Sequence, residues 1–303
     1  MGKIDLIALD LDGTFLDPAG EISPASLEAV QAAQATGVKV VLSTGRSGWE
    51  AAHFSKLAGC DSLAVCLGGA ALCDARTGRH LRRWDLPEET GRRALELCLG
   101  RDIELMIFAG EEILLDPFSR RSLQRTYPFS VFHSRAVDTP DPLAYLAEHG
   151  LPLTKLHGDQ KPGGYPLEEL AALPGVSLTA SNDHDFELVP AGVNKGRALA
   201  LLALMWGIPL ERCAAVGDSA NDLEMLQAVG SPWGTPPLRC RRRPSALWRT
   251  TAMTARPRPF SPAWSKPLQA PGRPSGRLGA FLSAETARSD IFSLTFPQVE
   301  GVP

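Results

Sequence analysis

ALDLDGTFLD (residues 8–17) sets two carboxylates, Asp10 and Asp12, two positions apart where an apolar run ends. The text leading into it, KIDLIALDLD, is rich in Ile and Leu and reads as a buried strand, with Gly13 supplying the break. Like charges at this spacing repel, and burial adds a desolvation cost. A positive partner, or chemistry that uses an acid and a base, is therefore expected beside them. Residues i and i+2 of a strand point the same way, so both side chains should leave the strand end toward one site.

The text on either side repeats a strand–helix rhythm. Ser23-Pro24 opens a helix that Gly37 closes. VKVVL (38–42) is a β-branched run followed by the turn STGR, a second helix covers roughly 47–58, and LAVCL (63–67) is another apolar run. This order predicts an α/β fold with a doubly wound parallel sheet. From about Trp84 the texture changes to a mixed α/β segment. Helical text at 88–100 precedes the strand-like ELMIF and EILLD. A helix (PLAYLAEHG) then precedes LTKLHG, and a helix near 166–172 precedes VSLTA and FELVP. Helical text resumes at 195, followed by the strand CAAVG (213–217), the turn DSAND and a short helix to Val229. The organisation expected is a core of residues 1–83 and 190–230 with an inserted α/β domain at 84–189.

In a parallel sheet of this kind ligands bind beyond the carboxyl ends of the strands. Three further turns end strands there: Ser43-Thr44-Gly45-Arg46, Gly217-Asp218-Ser219 and the loop reaching Asn194-Lys195. Together with Asp10 and Asp12 they bring several carboxylates, a hydroxyl and an ammonium to one place. That set suits a hard divalent cation such as Mg²⁺, which takes oxygen ligands, together with a phosphate whose charge Lys and backbone N–H groups balance. The histidines form no cluster. His184-Asp185 is expected in a loop rather than as a catalytic pair, and Tyr127 and Phe129 are expected in the core of the inserted domain.

DLDGT (10–14), LSTGR (42–46), VNKG (193–196) and GDSAND (217–222), in this order, resemble the haloacid dehalogenase superfamily of phosphotransferases, specifically its Cof-type branch. The resemblance covers about residues 3–230 and implies a Mg²⁺-dependent phosphatase acting on small phosphorylated metabolites, such as sugar phosphates or flavin-related phosphates. It implies Asp10 as the nucleophile that forms an aspartyl-phosphate. Asp12 would be the acid and then the base, kept protonated at the start by Asp10 and partial burial. The metal would lie on Asp10, the backbone carbonyl of Asp12, and Asp218, with Asp222 close by. Thr44, Lys195 and Asn221 would hold phosphoryl oxygens, with Gly45 and Arg46 in the same binding turn, and the inserted domain would be a cap that chooses the leaving group. A phosphomutase of the same fold and a non-catalytic phosphate-binding module are the alternatives. Relatives carry Asn-Gly-Ala where this chain has Gly68-Gly69-Ala70, so any contact made by that Asn side chain is missing.

The 303 residues are 44% hydrophobic and 21% charged, which is ordinary for a soluble globular chain. No apolar stretch is long enough for a membrane span and no secretory leader is evident, so a cytoplasmic protein with neither membrane nor nucleic-acid partner is expected. Cys60, Cys66, Cys73, Cys98, Cys213 and Cys240 show no metal-binding spacing and are expected as reduced thiols. The net charge of −3 hides a division. Residues 1–230 hold 20 Lys+Arg against 31 Asp+Glu, whereas 231–303 hold 11 against 3, with 12 of the 25 prolines. This last stretch is expected to be a disordered basic tail.

Its text is also compatible with a frameshift. Reread from the third base of each codon from Pro232, Trp233-Gly234 must give Gly, Gly234-Thr235 can give Asn and Thr235-Pro236 Ala. Leu238 through Pro244 can then give Glu-Val-Gln-Ala-Ala-Ala, and Met253-Thr254 must give Asp. This is the pattern that the resemblance implies at this place.

Overall fold

The computed structural model describes residues 4–17, 19–159, 166–180 and 184–229. The basic stretch from 231 onward, and with it both the expected disorder and the frameshift reading, lies outside the described residues. So does Cys240; the other five cysteines are free thiols.

The chain begins β1 (Leu6–Leu9), α1 (Pro24–Ala35), β2 (Lys39–Leu42), α2 (Gly48–Ala58), β3 (Leu63–Cys66), β4 (Ala71–Asp74) and β5 (His80–Arg83). Capping accounts for the helix starts. Ser23 accepts the N–H of Ser26 ahead of α1, and Ser47 and Glu50 form a reciprocal capping box on α2. There follow α3 (Glu88–Cys98), β6 (Glu104–Ala109), β7 (Glu112–Leu115), α4 (Pro117–Thr126), α5 (Ser130–Arg135), β8 (Val137–Asp138), α6 (Pro142–His149), β9 (Leu153–Asp159), α7 (Leu167–Ala171), β10 (Val176–Thr179) and β11 (Asp185–Pro190). The described chain closes with α8 (Lys195–Met205), β12 (Cys213–Val216) and α9 (Leu223–Ala228).

Strands β12, β1 and β2 form a parallel sheet in that order, with Leu9 level with both Val216 and Leu42. A parallel bridge from Ser43 to Val65 sets β3 beside β2. The α/β architecture with a parallel sheet is as the sequence predicts. After β3 the strand–helix alternation stops: β4 and β5 run antiparallel as a meander. Gly68 (φ +66) and Gly69 (φ +99) make the reversal within the four residues 67–70, leaving no room for a crossover helix. Leu6, Ala8, Val41, Leu42, Ala64 and Val65 are completely buried, as expected for strands covered on both faces.

A second sheet runs β10-β11-β9-β6-β7-β8, antiparallel except for β7 with β8. Its two faces separate by residue parity. Leu105, Ile107, Leu156, Phe186 and Leu188 pack into an apolar cluster with Leu95 and Cys98 of α3. The alternate residues form cross-strand rows instead: Glu104–Asp159–Asp185, Met106–His157–Glu187 and Phe108–Lys155. No described helix is long and apolar enough to cross a membrane.

Candidate active site

The polar rows of the second sheet and the carboxyl ends of the parallel strands line one cavity of about 340 Å³. Its floor is built by three strand exits. Asp10 follows β1, with its N–H donating to Val216 O at 2.9 Å, and the chain then turns tightly through Leu11–Phe15. Gly13 sits at φ +82 in that turn, and a Cβ there would lie 2.7 Å from Asp218 Oδ2, so the turn closes against Asp218 only with glycine. Thr14 Oγ1 donates to Asp218 Oδ1 at 3.0 Å.

Lys195 opens α8 and is 1% exposed. Its Nζ donates to Asp10 Oδ1 and to Asp222 Oδ1, both at 2.7 Å, and to Asn221 Oδ1 at 3.3 Å. The second oxygen of Asp222 accepts the N–H groups of Asp218 and Ser219, each at 3.1 Å. One ammonium therefore serves two buried carboxylates. Burial pushes the Asp10 carboxyl up to about 7; Lys195 pulls it down and Asp222 raises it again. Burial lowers the Lys195 ammonium, but Asp10 and Asp222 outweigh it and hold it above its ordinary value.

The carboxylates of Asp10, Asp218 and Asp222 offer oxygens within 4.8 Å of one another. Three carboxylates against one lysine leave an excess of negative charge, and Asp10 is held up to about 7 despite that lysine. An all-oxygen donor set with unbalanced negative charge fits a hard divalent cation.

Asp12 goes elsewhere. Its side chain is 57% exposed, and its two oxygens accept a forked pair from Arg46, Nη2 at 2.7 Å and Nε at 2.9 Å. The sequence suggested partial burial beside Asp10. The turn instead carries this side chain up to the cavity mouth, where a guanidinium matches a carboxylate geometrically. Arg46 is itself boxed in. It lies 3.5 Å from Glu50 and over the rings of Phe54, Tyr127 and Phe129, at 5.1, 5.1 and 5.3 Å. Burial lowers its charge affinity, but the Asp12 hydrogen bonds and the surrounding anions reverse that, and its pKa is raised. Tyr127 and Phe129 thus pack on α2 beside Arg46 rather than in the apolar cluster under the second sheet, with Phe129 stacked on Phe54 at 5.4 Å. The expectation fails because the chain between α4 and α5 reaches back to α2.

Of the other residues singled out in the sequence, Gly45, Asn221 and Asp218 line the cavity. Thr44 is fully buried beneath the turn, with its hydroxyl accepting the N–H of Arg46 at 3.1 Å. Asp185, expected in a loop, begins β11 and lines the cavity while 1% exposed. Sequence reasoning also passed over Glu104, Lys155, His157, Asp159 and Glu187. The signal was partial: polar residues alternate from Lys155 to Asp159 and from Asp185 to Leu188, whereas ELMIF carries only Glu104.

Residues 7–233 match a family described as haloacid dehalogenase-like hydrolase. The chain is 28% identical over 252 residues to the phosphatase YwpJ of Bacillus subtilis, covering 74% of this chain and 87% of that protein. It is 28% identical over 247 residues to the 5-amino-6-(5-phospho-D-ribitylamino)uracil phosphatase YwtE of the same organism, covering 74% and 85%. Among solved structures, a haloacid dehalogenase-like hydrolase from B. subtilis matches with a TM-score of 0.64 at 25% identity, over 75% of this chain and 87% of that one.

Proposed function

This chain belongs to the haloacid dehalogenase-like hydrolases, and on that premise we propose that it removes phosphate from small phosphorylated metabolites through a covalent intermediate on Asp10. One observation carries the reading: a buried carboxylate at a strand exit, 2.7 Å from a buried lysine, with two more carboxylates converging on the same point of a cavity.

In the first half-reaction an oxygen of Asp10 attacks phosphorus, and the bond from phosphorus to the leaving oxygen breaks. Asp12, whose two oxygens both accept from Arg46 before substrate enters, takes up a proton from the phosphate monoanion once the guanidinium turns to the substrate, and gives that proton to the leaving oxygen. In the second half, water attacks the aspartyl-phosphate, Asp12 takes the water's proton, and Asp10 leaves as carboxylate with inorganic phosphate released. Lys195 and an N–H of Asn221 hold phosphoryl oxygens, and the turn Thr44–Arg46 closes the same side. Mg²⁺, held by Asp10, Asp218, Asp222 and the backbone carbonyl of Asp12, would supply positive charge that stabilises the phosphoryl oxygens and lowers repulsion toward the nucleophile. Arg46 keeps Asp12 at the mouth until the incoming phosphate ester, itself an anion, competes for the guanidinium and frees Asp12 for the leaving oxygen.

Residues 84–189 act as a cap over the core of 1–83 and 190–230. The cap's row of Glu104, Asp159 and Asp185 favours leaving groups rich in hydroxyl or amino donors and disfavours a second anionic group. The phosphate ester of a polyol, a sugar or an amino-substituted ring fits that description.

The test is release of p-nitrophenol from p-nitrophenyl phosphate with Mg²⁺, with EDTA, and in Asp10→Asn. Turnover is expected only in the first. Release that survives both chelation and substitution would overturn the reading.

A further inference from the structure

The roles assigned above leave one polar contact unused. Lys155 on β9 and Glu187 on β11 belong to the six-stranded sheet, yet both reach the turn after β2. Lys155 Nζ donates to Glu187 Oε1 at 2.7 Å and to the carbonyl oxygen of Gly45 at 2.8 Å. Both side chains are buried, at 1% and 3% exposed. The other carboxylate oxygen, Oε2, accepts a hydrogen bond from Asn221 Nδ2 at 3.3 Å. The far end of the same amide, Oδ1, accepts from Lys195 Nζ. A continuous chain of contacts therefore runs from the second sheet through Asn221 and Lys195 to Asp10.

Two glycines make room for it. A Cβ on Gly45 would stand 2.7 Å from Glu187 Oε1 and 3.2 Å from Lys155 Nζ. A Cβ on Gly68 would stand 3.4 Å from Glu187 Oε2. The ion pair occupies space that core side chains at 45 and 68 would otherwise fill. Burial raises the Glu187 carboxyl, but Lys155 and His157 more than reverse this and hold it well below the usual carboxylate range. A buried ion pair is a poor way to gain stability, since apolar side chains of similar volume do as well or better. Its presence calls for another explanation.

We propose that Lys155 and Glu187 are positioning residues for phosphoryl transfer: they fasten the six-stranded sheet to the turn after β2 and set the Asn221 amide, and through it Lys195, against Asp10. This rests on the reading of Asp10 as the nucleophile. With Glu187 holding one N–H of Asn221, the amide keeps its oxygen on Lys195 and has its second N–H for a phosphoryl oxygen. Without Glu187 the Nδ2 end of the amide loses its partner, and the group is held by its oxygen alone, which accepts from Ser219 Oγ at 2.7 Å and from Lys195. Because the contact acts at the phosphoryl end, its loss affects every leaving group alike.

The experiment compares the full-length Mg²⁺-loaded protein with Glu187→Gln, Lys155→Met and the double variant Lys155→Met/Glu187→Met. The readouts are kcat and KM for p-nitrophenyl phosphate and acetyl phosphate, the melting temperature, and calorimetric binding of orthovanadate. All three variants should lose about 10²-fold in kcat, the scale of a misplaced catalytic group, with equal losses for the two substrates and a smaller change in KM. Orthovanadate affinity should fall by a similar factor. The double variant, which removes both charges of the pair and leaves His157 able to shed its proton, should regain the melting temperature but not the rate. A double variant that regains both would mean the pair only fills space, and the proposal would fail. Losses confined to one leaving group would also overturn it. Vanadate binding separates the two failures: a wild type that binds vanadate without turnover removes the phosphatase reading, whereas an active wild type whose variants bind vanadate equally tightly removes this one.

Discussion

The floor and the mouth of the cavity each hold one aspartate of the same turn, and the surroundings could hardly differ more. Asp10 is 4% exposed and shares a fully buried lysine with Asp222. Asp12, two residues on, has a side chain 57% exposed and rests on a guanidinium beside three aromatic rings. Charges at the floor interact with little solvent screening, so removing any one of them leaves others uncompensated. The Asp12 charge at the mouth is screened by water, and the fold tolerates its loss. The floor suits a group whose position must be fixed before substrate arrives. The mouth suits one that must change partners during the reaction.

The largest effects should come from the floor. Asp10→Asn removes the proposed nucleophile and should lower kcat on p-nitrophenyl phosphate by on the order of 10⁴-fold or more, measured with Mg²⁺ in excess. The same variant tests the electrostatics without catalysis. Burial raises the Asp10 pKa from 3.8 to about 7, so the folded chain keeps a proton that the unfolded chain releases. In EDTA this contribution to stability is complete below 3.8 and is lost as pH rises through about 7. Wild-type denaturation midpoints should fall across that window, and Asp10→Asn should flatten the fall. A wild-type curve with no slope there would contradict the burial argument.

Lys195→Met comes next. It strands two buried carboxylates and should cost about 3–5 kcal/mol of stability at neutral pH, read from urea denaturation. Rates should fall about 10²–10³-fold, the scale of losing one preorganised donor to developing charge. Mg²⁺ should offset part of the stability loss, since a cation among Asp10, Asp218 and Asp222 relieves the same repulsion.

At the mouth, Asp12→Asn should cost about 1 kcal/mol or less in stability, because the Asp12 end of the pair is more than half exposed and Arg46 keeps Glu50 as a second anion. Its effect on rate should be about 10²-fold and should grow as the leaving group becomes more basic, since a good leaving oxygen needs little help from an acid. Comparing p-nitrophenyl phosphate with an alkyl phosphate checks this. Equal losses on both would remove Asp12 from the proton-transfer role.

The floor was much more legible in the sequence than the mouth or the polar face of the second sheet. DLDGT, LSTGR, VNKG and GDSAND each sit where a strand meets a turn, and a parallel sheet brings such ends together whatever the loops do. Asp10, Lys195, Asn221, Asp218 and Asp222 meet for that reason. The direction of Asp12 depended on the dihedral angles of the turn at Gly13, and i, i+2 parity holds only while the strand continues. The roles of Lys155 and Glu187 depended on which face of the second sheet turns toward the core. Alternation within a strand tells the two faces apart but does not say which neighbour covers the polar one. Tyr127 and Phe129 were misplaced for a related reason: ring-to-ring contacts between distant segments leave no local period. The meander of β4 and β5 was signalled only by Gly68-Gly69. The family match stops at residue 233, where the composition turns basic.

The smallest effect bears on the aromatic side of the mouth. The Tyr127 hydroxyl donates to Glu50 Oε1 at 2.8 Å, and burial, with Glu50 adding to it, pushes that hydroxyl's pKa upward so that it remains a donor. Glu50 has other partners: its Oε2 accepts from the Ser47 hydroxyl at 2.7 Å and Oε1 lies 3.5 Å from Arg46. Tyr127→Phe keeps the ring over Arg46 and removes one of several donors to a carboxylate that stays paired. A loss of about 1 kcal/mol is expected, as for an ordinary hydrogen bond, with kcat nearly unchanged. Tyr127→Ala removes the ring as well and should cost roughly 3–5 kcal/mol, the range for a large aromatic truncation in a packed site. If the mouth works by letting Arg46 and Asp12 separate, freeing Arg46 from its aromatic box should also raise the dependence of KM on salt, because the guanidinium then meets the substrate phosphate in solvent, where salt screens it. A Tyr127→Phe variant that loses as much as Lys195→Met would show that the mouth is as rigidly coupled as the floor, and the distinction between the two would fall.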